Sequence, residues 1–169
     1  MLVPAIIYKE DIKQEFLKRI YDLEMCYFMA CTNYSIQNIL YIVNFDECDC
    51  GNVQYAIIDD NKKIIGYFSY YIDYYNSTIH NFGLYSFDKN NSILGIDIYK
   101  EFKKIIKEIN PHRIMWDVVI GNPVEKHYDK LFNRMIKHEY SGTIYTYHDC
   151  FKDKKGIYHS NKSYELIKN

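Results

Sequence analysis

Apolar positions in the first third of the chain alternate between strand-like and helix-like spacing. Ala5 to Tyr8 predicts a short strand, and Glu10 to about Leu23 predicts a helix, because its apolar residues recur every three or four positions. Met25 to Val43 is ambiguous, although Ser35 is suited to capping a second helix there. The pattern therefore predicts a strand followed by one or two helices.

The middle of the chain predicts three consecutive strands. These are Val53 to Ile58, Ile64 to about Asp73, and Thr78 to Phe87. Short polar segments separate them, so the first two strands form a hairpin and the third continues the same sheet. This block is the antiparallel half of the expected sheet.

Helices and strands alternate in the last part of the chain. A helix runs from Gly95 or Ile96 to Ile109, and Ile114 to Ile120 is an apolar run typical of a strand covered on both faces. A second helix follows Pro123, and two strands follow it, roughly Gly142 to Phe151 and Tyr158 to Ile167. Because helices separate strands four, five and six, part of the sheet should be parallel or mixed.

Length and charge limit the classes of function. The 169 residues suit one domain, 1–169, with no linker or repeat, and the net charge of −1 gives no overall basic field for nucleic acid or an anionic membrane. The five cysteines are irregularly spaced, and neither a signal peptide nor a membrane-length apolar run is evident. These features favour a cytoplasmic protein with free thiols, and the Cys48-x-Cys50 pair lacks the second pair that a zinc site needs.

The first chemically informative unit is the strand, polar loop and helix start around Gly95. Backbone N–H groups and the helix dipole at such a start favour a phosphate group. A plain structural turn explains the same pattern, since many α/β turns contain one glycine.

The second unit is the segment from Gly121 to Leu131, which reads Gly-Asn-Pro-Val-Glu-Lys-His-Tyr-Asp-Lys-Leu. It resembles the GNAT superfamily of N-acetyltransferases, in which an Asn-Pro pair ends strand five and a tyrosine lies on the next helix. A subgroup of bacterial GNAT-like proteins shares the Ile120 to Lys130 segment, the Leu94-Gly95-Ile96-Asp97 helix start and a Gly156-Ile157-Tyr158 hairpin. The likeness covers nearly the whole chain, because the order of elements is also the family's order.

The resemblance implies an α/β GNAT fold, with a mixed sheet of about seven strands splayed between strands four and five and about four flanking helices. Acetyl-CoA would insert its pantetheine arm into that gap, with no metal required. The backbone of Tyr85, Ser86 and Phe87 would contact the cofactor. Its pyrophosphate would lie at the loop and helix start formed by Ile93, Leu94, Gly95 and Ile96. Asn122 would contact the pantetheine.

The resemblance also implies a reaction in which a primary amine attacks the thioester directly in a ternary complex. Tyr128 would protonate the departing thiolate as general acid. The family's usual glutamate on strand four is replaced by His80-Asn81, so His80 is the candidate base, with a water chain as the alternative. Packing could equally explain Tyr128, helix capping could explain Asn122, and Asp117 could either enter the gap or pair with a basic side chain.

Other functions remain open at this stage. Only Gly95 matches the family's phosphate loop, so a GNAT-shaped binding protein without catalysis is the main alternative. The tyrosine-rich stretch from Tyr67 to Tyr75 would suit a dimer or partner surface, so a monomer and a homodimer are both expected possibilities. The amine acceptor is not identified by the sequence.

Overall fold

Seven strands form one mixed sheet in the computed structural model of the chain, which describes residues 1–19, 51–88, 94–122, 124–137, 139–152 and 156–169. The elements in chain order are β1 (Leu2–Pro4), a 3-10 helix (Ala5–Tyr8), α1 (Lys9–Arg19), β2 (Asn52–Ile58), β3 (Ile64–Asp73), β4 (Thr78–Ser86), α2 (Leu94–Ile109), β5 (Arg113–Val119), α3 (Glu125–Met135), β6 (Tyr140–Lys152) and β7 (Tyr158–Lys168).

The strands lie in the order β1-β2-β3-β4-β5-β7-β6. β4 and β5 are parallel and every other neighbouring pair is antiparallel, which confirms the predicted mixed sheet. Three α-helices occur within the described ranges, and the helix predicted after Ser35 falls outside them. None of the helices that the structure describes has the length and apolar character needed to cross a bilayer.

The predicted first strand at Ala5 to Tyr8 is wrong, because the strand is Leu2–Pro4 and the next four residues form the 3-10 helix. Pairing of β1 with β2 fixes this start, and the terminal ammonium of Met1 donates to Ile58 O at 2.8 Å. Ile6 and Ile7 remain mostly exposed, so the apolar run that suggested a strand is not a buried face.

Both faces of the sheet are covered by apolar cores. The larger core, under α2 and α3, contains Trp116 with 1% of its surface exposed. The smaller core, under α1, joins Phe16 to Tyr67. Of the tyrosine-rich stretch, Tyr67 and Tyr70 are buried, and only Tyr74 and Tyr75 at its end are strongly exposed. Most of that stretch therefore packs inside the protein.

Candidate active site

The seam between β4 and β5 closes over two residue pairs only. Thr78 is paired with Arg113 and Ile79 with Ile114, and no further pairing joins these strands within their described lengths. β4 nevertheless continues to Ser86 and β5 to Val119. The strands therefore diverge after Ile79, which confirms the predicted splay.

A β-bulge in β4 lies where the splay begins. On β3, Ser69 is opposite Gly83 and Tyr71 is opposite His80, so two residues of β4 face the single residue between them. Asn81, one of those two, has a φ of 54°, a left-handed conformation that asparagine tolerates better than most residues. The bulge turns the strand and redirects the backbone groups that follow it.

Backbone direction alternates along β4 after the bulge. Phe87 N–H donates to Ile65 O on β3 at 2.8 Å, so this group is engaged within the sheet. Successive residues of a strand point their N–H and C=O groups to opposite sides, so the backbone groups of Tyr85 point toward β3, as those of Phe87 do. The backbone groups of Leu84 and Ser86 are the ones that turn toward the gap.

Tyr128 reaches this gap from α3. Its side chain is 5% exposed, and its hydroxyl forms a hydrogen bond with the backbone of Leu84. Burial raises the pKa of the Tyr128 hydroxyl well above its usual range, the nearby Tyr85 hydroxyl adds to the rise, and the Leu84 bond opposes it. A hydrogen bond that lowers a phenol's pKa stabilises the phenolate, so Leu84 N–H is the donor. The phenol is buried, yet its oxygen lies at the gap.

Asn122 shapes the entry to α3. Its Oδ1 accepts the Val124 N–H at 2.9 Å and its carbonyl accepts the Glu125 N–H at 2.9 Å. The Glu125 carboxylate in turn accepts the Gly121 N–H at 2.9 Å. These bonds satisfy backbone donors at the start of the helix, so Asn122 acts as a helix cap.

Lys162 on β7 fastens α3 to the sheet. Its ammonium lies 2.6 Å from the Glu125 carboxylate and 3.2 Å from the Asp129 carboxylate, one helical turn further along. Tyr164 also donates to Asp129, at 2.7 Å. Burial would raise the pKa of Glu125, but the bond from Lys162 holds it below its usual range. The three charged groups fix the helix turn that carries Tyr128.

His80 lies at the closed end of the seam, directly after the paired residue Ile79. It is half-buried, and its ring lies 4.9 Å from that of Tyr71, measured between centroids. No hydrogen bond or ring contact joins it to Tyr128; both are described residues. The structure thus brings Tyr128 to Leu84 but leaves the candidate base at a different level of the strand.

The helix start predicted for pyrophosphate is partly visible. α2 begins at Leu94, so Leu94, Gly95 and Ile96 belong to its first turn. Ile93 lies outside the described residues. Within the described ranges, no group of three or more His, Cys, Asp or Glu side chains is arranged to hold a metal ion.

Sequence reasoning missed Leu84 and Lys162. The role of Leu84 is a backbone property and leaves no mark in the residue type. Lys162 could have been sought, because Glu125 and Asp129 are four residues apart on a helix and face one direction.

Neither a protein-family model nor a curated protein sequence matches the chain. Solved structures of other proteins, however, do match it. The spermidine N-acetyltransferase of Vibrio cholerae, solved with CoA and spermine, superimposes with a TM-score of 0.64 at 15% identity, covering 99% of this chain and 95% of that one.

Two further solved structures agree. A dodecameric form of the Vibrio cholerae enzyme superimposes with a TM-score of 0.67 at 17% identity, covering 99% of this chain and 92% of that one. A protein assigned as a phosphinothricin N-acetyltransferase superimposes with a TM-score of 0.67 at 16% identity, covering 98% of this chain and 96% of that one. At this level of identity the likeness concerns the fold. The splayed seam and these neighbours together show that the chain has the fold of the GNAT acetyltransferases.

Proposed function

We propose that this protein transfers the acetyl group of acetyl-CoA to a primary amine in a ternary complex. The observation that carries the proposal is the gap between β4 and β5, with the Tyr128 hydroxyl against the Leu84 backbone inside it. A neighbour of the same fold was solved with CoA, which supports a CoA-type ligand here.

The gap offers the pantetheine arm an extended backbone to pair with. Leu84 and Ser86 turn their backbone groups toward it, so they are the main contacts in this proposal, with Tyr85 and Phe87 flanking them. The pyrophosphate would lie at the start of α2, near Ile93 to Ile96, where the first N–H groups of a helix favour anions. Asn122, besides capping α3, would border the pantetheine.

The reaction has a consistent assignment of atoms. The amine nitrogen attacks the thioester carbonyl carbon, the C–N bond forms, and the C–S bond breaks. Leu84 N–H would polarise the carbonyl oxygen in the manner of an oxyanion hole. It now bonds the Tyr128 hydroxyl, so the arriving thioester would replace that bond and release the phenol toward the sulfur.

Tyr128 would supply the proton that the thiolate takes up. Burial keeps its pKa high, so the phenol stays protonated across the neutral range. A high pKa also disfavours complete proton transfer, and the hydroxyl would act mainly as a hydrogen-bond donor until the C–S bond is nearly broken.

The amine must lose a proton to become a nucleophile. His80 is the candidate that receives it, because imidazole is a common general base and this residue lies at the closed end of the seam, where β4 and β5 begin to diverge. His80 lies four residues before Leu84, the residue of β4 that Tyr128 contacts, and this separation fits different positions for the acid and the base. A chain of waters is the alternative route for this proton.

Acetyl-CoA binding and acetyl transfer test the proposal in two steps. Calorimetry should detect acetyl-CoA at or below millimolar concentration, and mass spectrometry should detect acetylated amine from a panel of mono- and diamines. A protein that binds acetyl-CoA and acetylates none of the amines would instead be the non-catalytic binding protein. Absence of acetyl-CoA binding would contradict both.

A further inference from the structure

β6 forms one of the two outer edges of the sheet. Within the described ranges, the strand order makes β1 and β6 the edge strands. β6 contains 13 residues, and every residue from 141 to 150 is exposed, whereas β1 contains only 3 residues. An edge strand presents a row of N–H and C=O groups with which another strand can pair. The length and the exposure of β6 make it the edge that is suited to such pairing.

Alternate backbone groups of β6 point away from the sheet. Asn169 N–H donates to Glu139 O at 3.1 Å, so Glu139 turns its backbone toward β7. Because backbone direction alternates along an antiparallel strand, the odd-numbered residues that follow also bond to β7, as far as the register shift after Tyr147. The residues between them turn their N–H and C=O groups outward, and these are Tyr140, Gly142, Ile144 and Thr146.

The segment from Tyr140 to Tyr147 lacks the features that usually protect an edge strand. Its sequence, Tyr-Ser-Gly-Thr-Ile-Tyr-Thr-Tyr, contains neither a charged residue nor a proline. Its register with β7 is regular throughout, so no bulge turns this part of the edge away. Ile144 and Tyr145 are exposed, although β-branched and aromatic side chains favour strand pairing and tyrosine is enriched at protein interfaces.

The two edges together determine which partner fits. A head-to-tail contact would join β6 of one copy to β1 of the next, but β1 is short and ends at Pro4, which has no N–H to donate. Antiparallel pairing of β6 with β6 of another copy instead uses the same long edge twice and closes on itself. With the two-fold axis near Ile144, uncharged residues lie opposite uncharged residues, so no like charges meet.

We propose that β6 pairs with β6 of a second copy of this chain, which gives a closed homodimer with one continuous sheet. The interface is thus at the end of the sheet and not at the tyrosine-rich stretch from Tyr67 to Tyr75. β5 and β7 separate β6 from β4, so the dimer leaves the gap between β4 and β5 accessible. The proposal does not depend on acetyl transfer.

Sedimentation equilibrium of the full chain over a dilution series tests the dimer, which should have twice the chain mass of 20.4 kDa. Ile144→Lys would place two like charges near the axis, and Thr146→Pro would remove an outward N–H while keeping the bonds to β7. Each variant should raise the dimer Kd about tenfold or more. Tyr75→Lys, at a strongly exposed turn, is the control and should keep the wild-type Kd.

Amide hydrogen exchange locates the interface. At a concentration where the wild type is dimeric and Ile144→Lys is monomeric, the outward N–H groups of Gly142 and Thr146 should exchange about tenfold more slowly in the wild type. The N–H groups of Thr143 and Tyr145, which bond to β7, should be protected in both proteins. A wild-type chain that stays monomeric at millimolar concentration would overturn the inference, as would an unchanged dimer Kd in Ile144→Lys. If Thr146→Pro does not fold, Ile144→Lys decides alone.

Discussion

At the scale of single residues, the Tyr128 hydroxyl links packing to chemistry. The ring contributes to the core, lying edge-on to Phe82 and Trp116, while the oxygen reaches the Leu84 backbone at the gap. The packing role and the catalytic role that the sequence left as alternatives are therefore compatible. The ring holds the oxygen in place at the gap, where the proposed reaction would use it.

Replacing Tyr128 by phenylalanine removes only that oxygen. We expect Tyr128→Phe to lower kcat by about 10²-fold or more, the usual contribution of a general acid, with the Kd for acetyl-CoA changed little. Tyr140→Phe is a matched control, since its buried hydroxyl donates to Pro111 O at 3.1 Å, away from the gap. Equal losses of kcat in the two variants would show that Tyr128 acts through packing alone.

His80 offers a prediction that separates a base from a structural histidine. If it accepts the proton of the amine, His80→Gln should lower kcat/KM about tenfold or more at pH 7 and much less near pH 10, where a substantial fraction of the amine is already neutral. A pH–rate profile measures this difference. His127→Gln, an exposed change on α3, should leave the profile unchanged. A loss in His80→Gln that is the same at both pH values would exclude the role.

At the scale of elements, the segment β5–α3–β7 acts as one unit. Trp116 on β5 stacks on Tyr164 of β7 with 5.0 Å between ring centroids, and Tyr164 donates to Asp129 of α3. Lys162 adds its two carboxylate contacts. These contacts fix the distance of α3 from the sheet, and thereby the reach of Tyr128 into the gap.

Removing the Lys162 charge should loosen this unit. We expect Lys162→Met to lower the free energy of unfolding by about 1–2 kcal/mol, because it leaves two partly buried carboxylates facing each other without a cation. Lys18→Met is the control, since Lys18 pairs with Glu15 at an exposed site and should cost less than about 0.5 kcal/mol. Urea unfolding measures the change in the free energy of unfolding for both variants, and similar losses would contradict the role of Lys162 in fastening α3 to the sheet.

The sequence predicted most of the elements, and the family resemblance predicted the splay of β4 and β5, but neither predicted the residue at which the splay begins. The bounds of β3 were predicted correctly, β5 was placed within one residue, and α3 begins shortly after Pro123 as predicted, because apolar spacing and this proline mark them. The first strand was misplaced because isoleucines at Ile6 and Ile7 are exposed rather than buried. The extent of the seam depends on how many residues pair between two strands whose partners are 35 positions apart in the chain, and the pattern of residue types along one strand does not determine that number.

At the scale of the whole molecule, the high tyrosine content becomes a property of the core. Tyr67, Tyr70, Tyr128 and Tyr164 are each at most 5% exposed. For all four, burial is the main cause that raises the pKa of the hydroxyl above its ordinary value of 10.0. The folded protein therefore holds these four protons at pH values where an unfolded chain would release them.

Stability should consequently decrease in alkaline solution. Below about pH 10 both states keep the four protons, so this contribution to stability is complete, and it is lost as the pH rises from there toward the raised values. Each tyrosine lowers the free energy of unfolding by about 1.4 kcal/mol per pH unit in that window.

We expect the urea midpoint to be constant from pH 8 to 9.5 and to fall steeply by pH 11. Tyr70→Phe should make this fall shallower, by one proton's share, whereas Tyr75→Phe, at an exposed residue, should not. A midpoint that is unchanged at pH 11 would contradict the assignment of these phenols to the core.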